Sequence, residues 1–194
     1  MKDAGNCCNG GFELISGISL TDTKGLGEFY EETREGFWIY PSADNICALA
    51  SGVVKELSEP MFFFLEVPCE DDENYFELYY LECTKSVAQA IIKRYGELLK
   101  NDGISRFGFG SHKTGEEIYF QSLQRVSVFS EDREKYLRLF KNLGIFDKVF
   151  TTVSQLFDPD TDDIVAVEFN GETVYDIVEN LKSAGLYFDK RIKF

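Results

Sequence analysis

The run Met61–Val67 (MFFFLEV) narrows the possible fold more than any other segment. Its apolar residues follow one another instead of alternating with polar ones, which predicts a central strand buried on both faces. Pro68 closes it, because proline cannot donate to a strand ladder. An acidic loop, Glu70-Asp71-Asp72-Glu73, then leads to a second aromatic run, Tyr75–Leu81. Two strands joined by a short polar loop most simply form an antiparallel hairpin. Aromatic side chains make up 15% of the chain, with 18 Phe and 10 Tyr. Each buried ring removes a large apolar area from water. At 194 residues such a core needs neither disulfides nor a metal.

Periodicity places the remaining elements. Ile46, Leu49, Ala50, Val53 and Leu57 recur at helical steps behind a capping Ser42, and Pro60 follows their end. Phe12–Ser16 and Phe37–Tyr40 read as strands, whereas Leu26, Phe29 and Tyr30 within Thr23–Arg34 share one helical face. Ser86 with Gln89 forms a capping-box pattern for a helix reaching Leu99. Strand character returns at Ile104–Phe109, Ile118–Phe120 and Val126–Phe129. Ser130 opens another helix, which Gly144 stops. Phe146–Phe157 suits helix or strand, and Ile164–Phe169 suits a strand. Val174, Ile177, Val178 and Leu181 mark a last helix closed by Gly185, before an edge strand at Tyr187–Phe194. The expected architecture is a single α+β domain over residues 12–194, behind a loose segment at 1–11. It has a mixed or mainly antiparallel sheet with about four helices packed on it.

The formal net charge is −14, from 34 acidic and 20 basic side chains. Nucleic acid is a poor partner for such a chain, because phosphate binding relies on clustered Lys and Arg. An anionic membrane surface is disfavoured for the same reason. A cationic protein is the partner this charge attracts. Cys7, Cys8, Cys47, Cys69 and Cys83 lack regular spacing and read as free thiols of a reducing compartment. Met1–Gly11 shows no cationic stretch followed by an apolar one, and Met61–Leu65 is too short to span a bilayer. The cytoplasm is the expected location.

No segment completes a catalytic or cofactor motif. Gly110–Gly115 has the first spacing of a phosphate-binding loop, but Glu116 and Glu117 stand where Lys and Ser or Thr are needed. Glycines between aromatics, as at 108 and 110, more often serve close packing. Asp158, Asp160 and Asp162 have the alternate spacing that opens a calcium loop, yet Asp163 replaces its glycine and Phe169 its bidentate Glu. No Cys or His pair has zinc spacing, so neither cofactor nor metal is expected. His112, beside Ser111 and near Glu116 and Glu117, is the only histidine. It reads as a solvated loop residue, and the alternative is an enzyme of unrecognised class using His112 with a cysteine or carboxylate. The acidic clusters Glu70, Asp71, Asp72, Glu73 and Asp158, Asp160, Asp162, Asp163 each follow an aromatic segment. A charged rim beside an apolar patch suits a protein interface, so these eight residues are the expected partner-binding set.

An acidic α+β chain of this kind, with the aromatic segments FFFLEVPC and YFELYYLEC around an EDDE loop, resembles the bacterial immunity proteins that neutralise polymorphic or contact-dependent toxins. The resemblance is one of type and transfers no family residues. It implies a non-catalytic protein whose partner is a toxin domain. A basic nuclease fits the charge, with carboxylates taking the place of substrate phosphates in an occluded active site.

Overall fold

A computed structural model of the chain describes residues 11–72 and 74–193. Residues 1–10 of the expected loose segment, with Cys7 and Cys8, lie outside the described residues, as do Glu73 and Phe194. In chain order the elements begin with β1 (Ile18–Ser19), β2 (Phe29–Glu32), β3 (Gly36–Tyr40) and α1 (Ala43–Glu56). The hairpin β4 (Met61–Pro68) and β5 (Tyr75–Cys83) follows, then α2 (Lys85–Asn101). Next come β6 (Arg106–Ser111), β7 (Glu117–Gln121), a 3-10 turn at Ser122–Gln124 and β8 (Arg125–Phe129). The chain closes with α3 (Arg133–Leu143), the single turn α4 (Val153–Leu156), β9 (Asp163–Ile164), α5 (Val174–Lys182) and β10 (Tyr187–Lys193).

Eight strands form one sheet in the order β10-β5-β4-β6-β7-β8-β3-β2, and every neighbouring pair is antiparallel. The small sheet pairs β1 with β9. This is an α+β fold with five helices among the described residues, four of them longer than one turn. Side chains alternate across a strand, so the register sorts the large sheet into two faces. One row reads Tyr30, Ile39, Val126, Phe120, Phe107, Leu65, Tyr79 and Phe188 across all its strands. The next row on that face includes Phe37, Val128, Ile118, Phe109, Phe63 and Leu81. Most of these residues join one buried cluster with Ile46, Leu49 and Val53 of α1, Ile91 and Leu98 of α2, Tyr136 and Phe140 of α3, and Ile177 and Val178 of α5. In the helical layer α1 packs against both α2 and α3, and α5 lies against α2.

Several local expectations shift for identifiable reasons. Thr23–Arg34 holds a strand instead of a helix. Phe29 and Tyr30 point to opposite faces, Phe29 stacking on Tyr40 and Tyr30 packing against Phe37 and Phe140. Phe12–Ser16 is not a strand, because buried Gln124 engages its backbone: Oε1 accepts from Ile15, and Nε2 donates to the carbonyls of Glu13 and Pro41. The α1 cap is Ser42, but the Glu28 carboxylate receives its N–H at 2.8 Å while the Ser42 hydroxyl accepts from Glu13. For α2 the cap is Thr84, since Gln89 reaches across to Ser51 on α1 instead of closing a box with Ser86. Phe146 and Thr151 bridge to Phe29 and Leu26, after which Thr152 and Gln155 cap α4. Of Ile164–Phe169 only Ile164 lies in a strand.

The MFFFLEV strand alternates after all. Met61, Phe63, Leu65 and Val67 face the helices, and Phe62, Phe64 and Glu66 face away. Phe64 and Glu66 are still buried, at 7% exposure each, although they face away from the cluster that packs on the helices. For Phe64 part of the cover comes from within the sheet. Gly108 and Gly110 of β6 stand directly opposite Phe64 and Phe62, and the two rings lie over them. A Cβ at Gly110 would fall 2.2 Å from the Phe62 ring, and one at Gly108 would meet both the Phe64 ring at 2.3 Å and the Ile118 carbonyl oxygen at 2.4 Å. We expect Gly108→Ala to destabilise the fold by about 3 kcal/mol, since backbone must move, and Gly110→Ala by about 1 kcal/mol, since only a ring must swing aside. Urea midpoints check the ranking, and the Gly110→Ala cost should largely vanish in a Phe62→Leu background.

Candidate functional site

The face turned away from the helices carries a second unbroken row. Glu31, Trp38, Ser127, Tyr119, Gly108, Phe64, Tyr80 and Tyr187 stand opposite one another across the whole large sheet. A parallel row contains Gly36, Phe129, Glu117, Gly110, Phe62 and Glu82. None of the aromatic residues in these rows belongs to the cluster that packs on the helices. Phe62, Phe64, Tyr80, Tyr119 and Tyr187 pack on each other instead. Phe62 stacks on Tyr80 with centroids 4.9 Å apart, Phe64 meets Tyr119 at 5.3 Å, and Tyr80 meets Tyr187 at 6.0 Å. Trp38 and Tyr187, towards the two ends of the long row, are 43% and 49% exposed. The result is a broad aromatic surface on a rigid scaffold.

Charged groups are set into this surface. Arg106 Nε lies 2.6 Å from Glu66 Oε2, the Tyr119 hydroxyl donates to the same carboxylate at 2.8 Å, and the guanidinium lies 4.1 Å over the Phe76 ring. Burial pushes the Glu66 carboxyl upward, opposed by Arg106 and by Tyr119. Glu117, in the neighbouring row, has no such support. Among the described residues no hydrogen bond or ion pair engages its carboxylate; burial raises its pKa, and repulsion from Glu66 adds to the rise. At the other side His112 Nε2 sits 3.0 Å from Glu82 Oε1, and the imidazole packs on Phe62 at 4.8 Å.

The residues expected to bind a partner lie elsewhere. Glu70 and Asp71 line a cleft with Glu77, Tyr79, Tyr175 and Arg191, on the helix-facing side of β5 and β10. Asp71 pairs with Arg191 at 3.1 Å, and Asp72 closes a turn by accepting the Asn74 N–H at 3.0 Å. The second cluster folds onto its own backbone. Asp158 accepts the N–H of Asp160, while Asp162 accepts those of Asp158 and Thr21. Asp162 is thereby buried at 6% exposure and serves the loop instead of a surface. Asp163 pairs with Ser19 in the small sheet, and Asp160 is exposed. The aspartate spacing therefore reflects turn construction. Among the described residues no group of His, Cys, Asp and Glu is arranged to hold a metal ion.

The histidine has a carboxylate neighbour, and no hydrogen bond links its ring to a serine or cysteine among the described residues. Ser111 is buried on the opposite face of β6, and its hydroxyl accepts the N–H groups of Lys113 and Thr114. Burial raises the thiol pKa at Cys47, Cys69 and Cys83, to about 11 at Cys83, so none is poised as a thiolate. Among the described residues no helix is long and apolar enough to cross a membrane. No family model matches the chain, and no curated protein or solved structure matches it significantly.

Sequence reasoning missed the uncovered face because register, not spacing, assembles it. The one legible hint was the RFGFGS pattern, where glycines two apart leave room for rings from another strand. Adjacent Glu116 and Glu117 show how far environment separates identical residues. Burial opposes ionisation of Glu116, but bonds from Lys135, Ser130 and Thr114 outweigh it and hold its pKa low. A depressed folded pKa contributes stability above the ordinary glutamate range, lost as pH falls through the folded value. A raised one, as at Glu117, contributes below that range and is lost as pH rises through the folded value. We therefore expect Glu116→Gln to cost about 2–3 kcal/mol at pH 7, because the Lys135 ammonium loses its buried partner. Glu117→Gln should raise the melting temperature at pH 7 and leave it unchanged near pH 4. Thermal scans at both pH values check the two signs.

Proposed function

We propose that this chain is a non-catalytic binding protein of the immunity type. Its uncovered sheet face docks a cationic toxin domain and occludes that domain's active site. The carrying observation is the aromatic row that crosses eight strands with none of its rings in the cluster that packs on the helices. Interfaces concentrate binding energy in aromatic residues set beside charge, as Phe64, Tyr80 and Tyr119 are set beside Glu66, Glu82 and Glu117, with Trp38 and Tyr187 towards the two ends. A net charge of −14 adds long-range attraction for a basic partner. A basic nuclease fits, since its phosphate-binding groups would meet carboxylates. A reducing cytoplasmic setting suits the free thiols at Cys47, Cys69 and Cys83.

The face replaces the two acidic loops as the preferred interface. The loop carboxylates at Asp71, Asp72 and Asp162 already have partners within the chain, whereas the face has rings in contact with water.

The test is affinity capture with the tagged full chain from its native host, followed by assay of the captured protein. A basic protein bound one to one, with its activity suppressed and its affinity falling steeply with salt, is the expected result. Tyr80→Ala combined with Trp38→Ala should weaken that complex about 30-fold or more, as loss of interface hot spots does. Charge reversal at Glu70 and Asp160 should change it little. Capture that depends on those loops and ignores the face would overturn the proposed interface, and turnover of a small molecule at His112 would overturn the non-catalytic reading.

A further inference from the structure

Two carboxylates are embedded in the aromatic face, and only one of them has a guanidinium. At Glu66 the chain supplies Arg106, which lies flat over Phe76 at 4.1 Å while its Nε meets the carboxylate at 2.6 Å. At Glu117 the same ingredients occur without the cation. Phe129 stands directly opposite on β8, and Gly110 stands opposite on β6 with the Phe62 ring laid over it. Tyr119 follows two residues along on the same face. In the register Glu117 thus neighbours Phe129, the Phe62 ring over Gly110, and Tyr119, and has no hydrogen-bond or ion-pair partner among the described residues.

We infer that Glu117, Phe62, Phe129 and Tyr119 form a receptacle for one arginine side chain of the partner. The inference rests on the docking reading above and specifies the group that the face recognises. Arginine fits better than lysine. A planar guanidinium can stack on a ring and fork to a carboxylate at once, and it sheds its weak hydration more readily than an ammonium. Arg106 on the same face shows that a guanidinium can sit over a ring and beside a carboxylate of this sheet. Charge makes the same point: Arg106 pairs with Glu66 while Glu117 feels the Glu66 charge, so an incoming cation relieves repulsion between them as well as pairing with Glu117. A single inserted arginine of this kind is a typical interface hot spot.

The probe is N-acetyl-arginine amide, titrated into the full chain and followed by backbone and aromatic NMR. Saturable shifts are expected at Gly110, Glu117, Tyr119 and Phe129, with a Kd on the order of millimolar, as a single desolvated cation–ring and charge contact supports. N-acetyl-lysine amide should bind at least about fivefold more weakly, and the citrulline analogue should leave those signals unmoved. Exposed Glu134 should respond without saturating, and Glu117→Gln should abolish the saturable response while remaining folded. Equal shifts with citrulline, or an undiminished response in Glu117→Gln, would overturn the receptacle. So would saturable binding of oligo-dT at the same residues, which would make the face a base-stacking platform. The two readings fail separately. A captured cationic partner with a silent arginine titration removes the receptacle alone, whereas a positive titration with no such partner removes the docking reading alone.

Discussion

Everything distinctive in this fold depends on how the second face of a large sheet is protected when the longer helices pack on the first. The rings of Phe62 and Phe64 lie down across the bare backbone of Gly110 and Gly108. That contact buries Phe64 and supports the neighbouring rings of Tyr80 and Tyr119. The sheet supplies its own partial cover, so the surface stays apolar without presenting isolated hydrophobic side chains. Polar and charged groups set among the rings, Arg106 with Glu66 and His112 with Glu82, limit the nonspecific stickiness such a patch would otherwise have.

The same economy places a cost on stability that the proposed docking would explain. Glu116 is tied into the fold by Lys135, Ser130 and Thr114. Glu117, the next residue, points to the other face and gains nothing comparable among the described residues. An unassisted carboxylate among rings opposes folding, and proteins keep such groups where binding needs them. A cationic partner would reverse the sign of that contribution. The long antiparallel sheet also supplies the rigidity that lets a side-chain constellation bind without reordering.

Much of the architecture was legible in periodicity. The hairpin of β4 and β5, the helices at α1, α2, α3 and α5 and the edge strand β10 all follow from apolar spacing and proline or glycine punctuation. The misreadings share a cause: a long-range contact overrode a local pattern. Gln124 holds Glu13 and Ile15 out of a strand from more than a hundred positions away, and Gln89 leaves its capping box for Ser51. The site was harder still. Acidic runs such as Glu70–Asp72 are conspicuous in sequence, yet here they build turns and ion pairs. The aromatic row, by contrast, draws one residue from each of eight strands, from Glu31 to Tyr187, and no linear window contains it.

The most direct measurement is hydroxyl-radical footprinting of the full chain in solution, with oxidation read residue by residue. Rapid labelling of Trp38, Phe62, Tyr80 and Tyr187, with Phe63, Phe107, Phe109 and Tyr136 protected, is the predicted pattern. Equal protection of both groups would mean that the second face is covered, and the one-sided sheet on which the proposed function stands would be wrong.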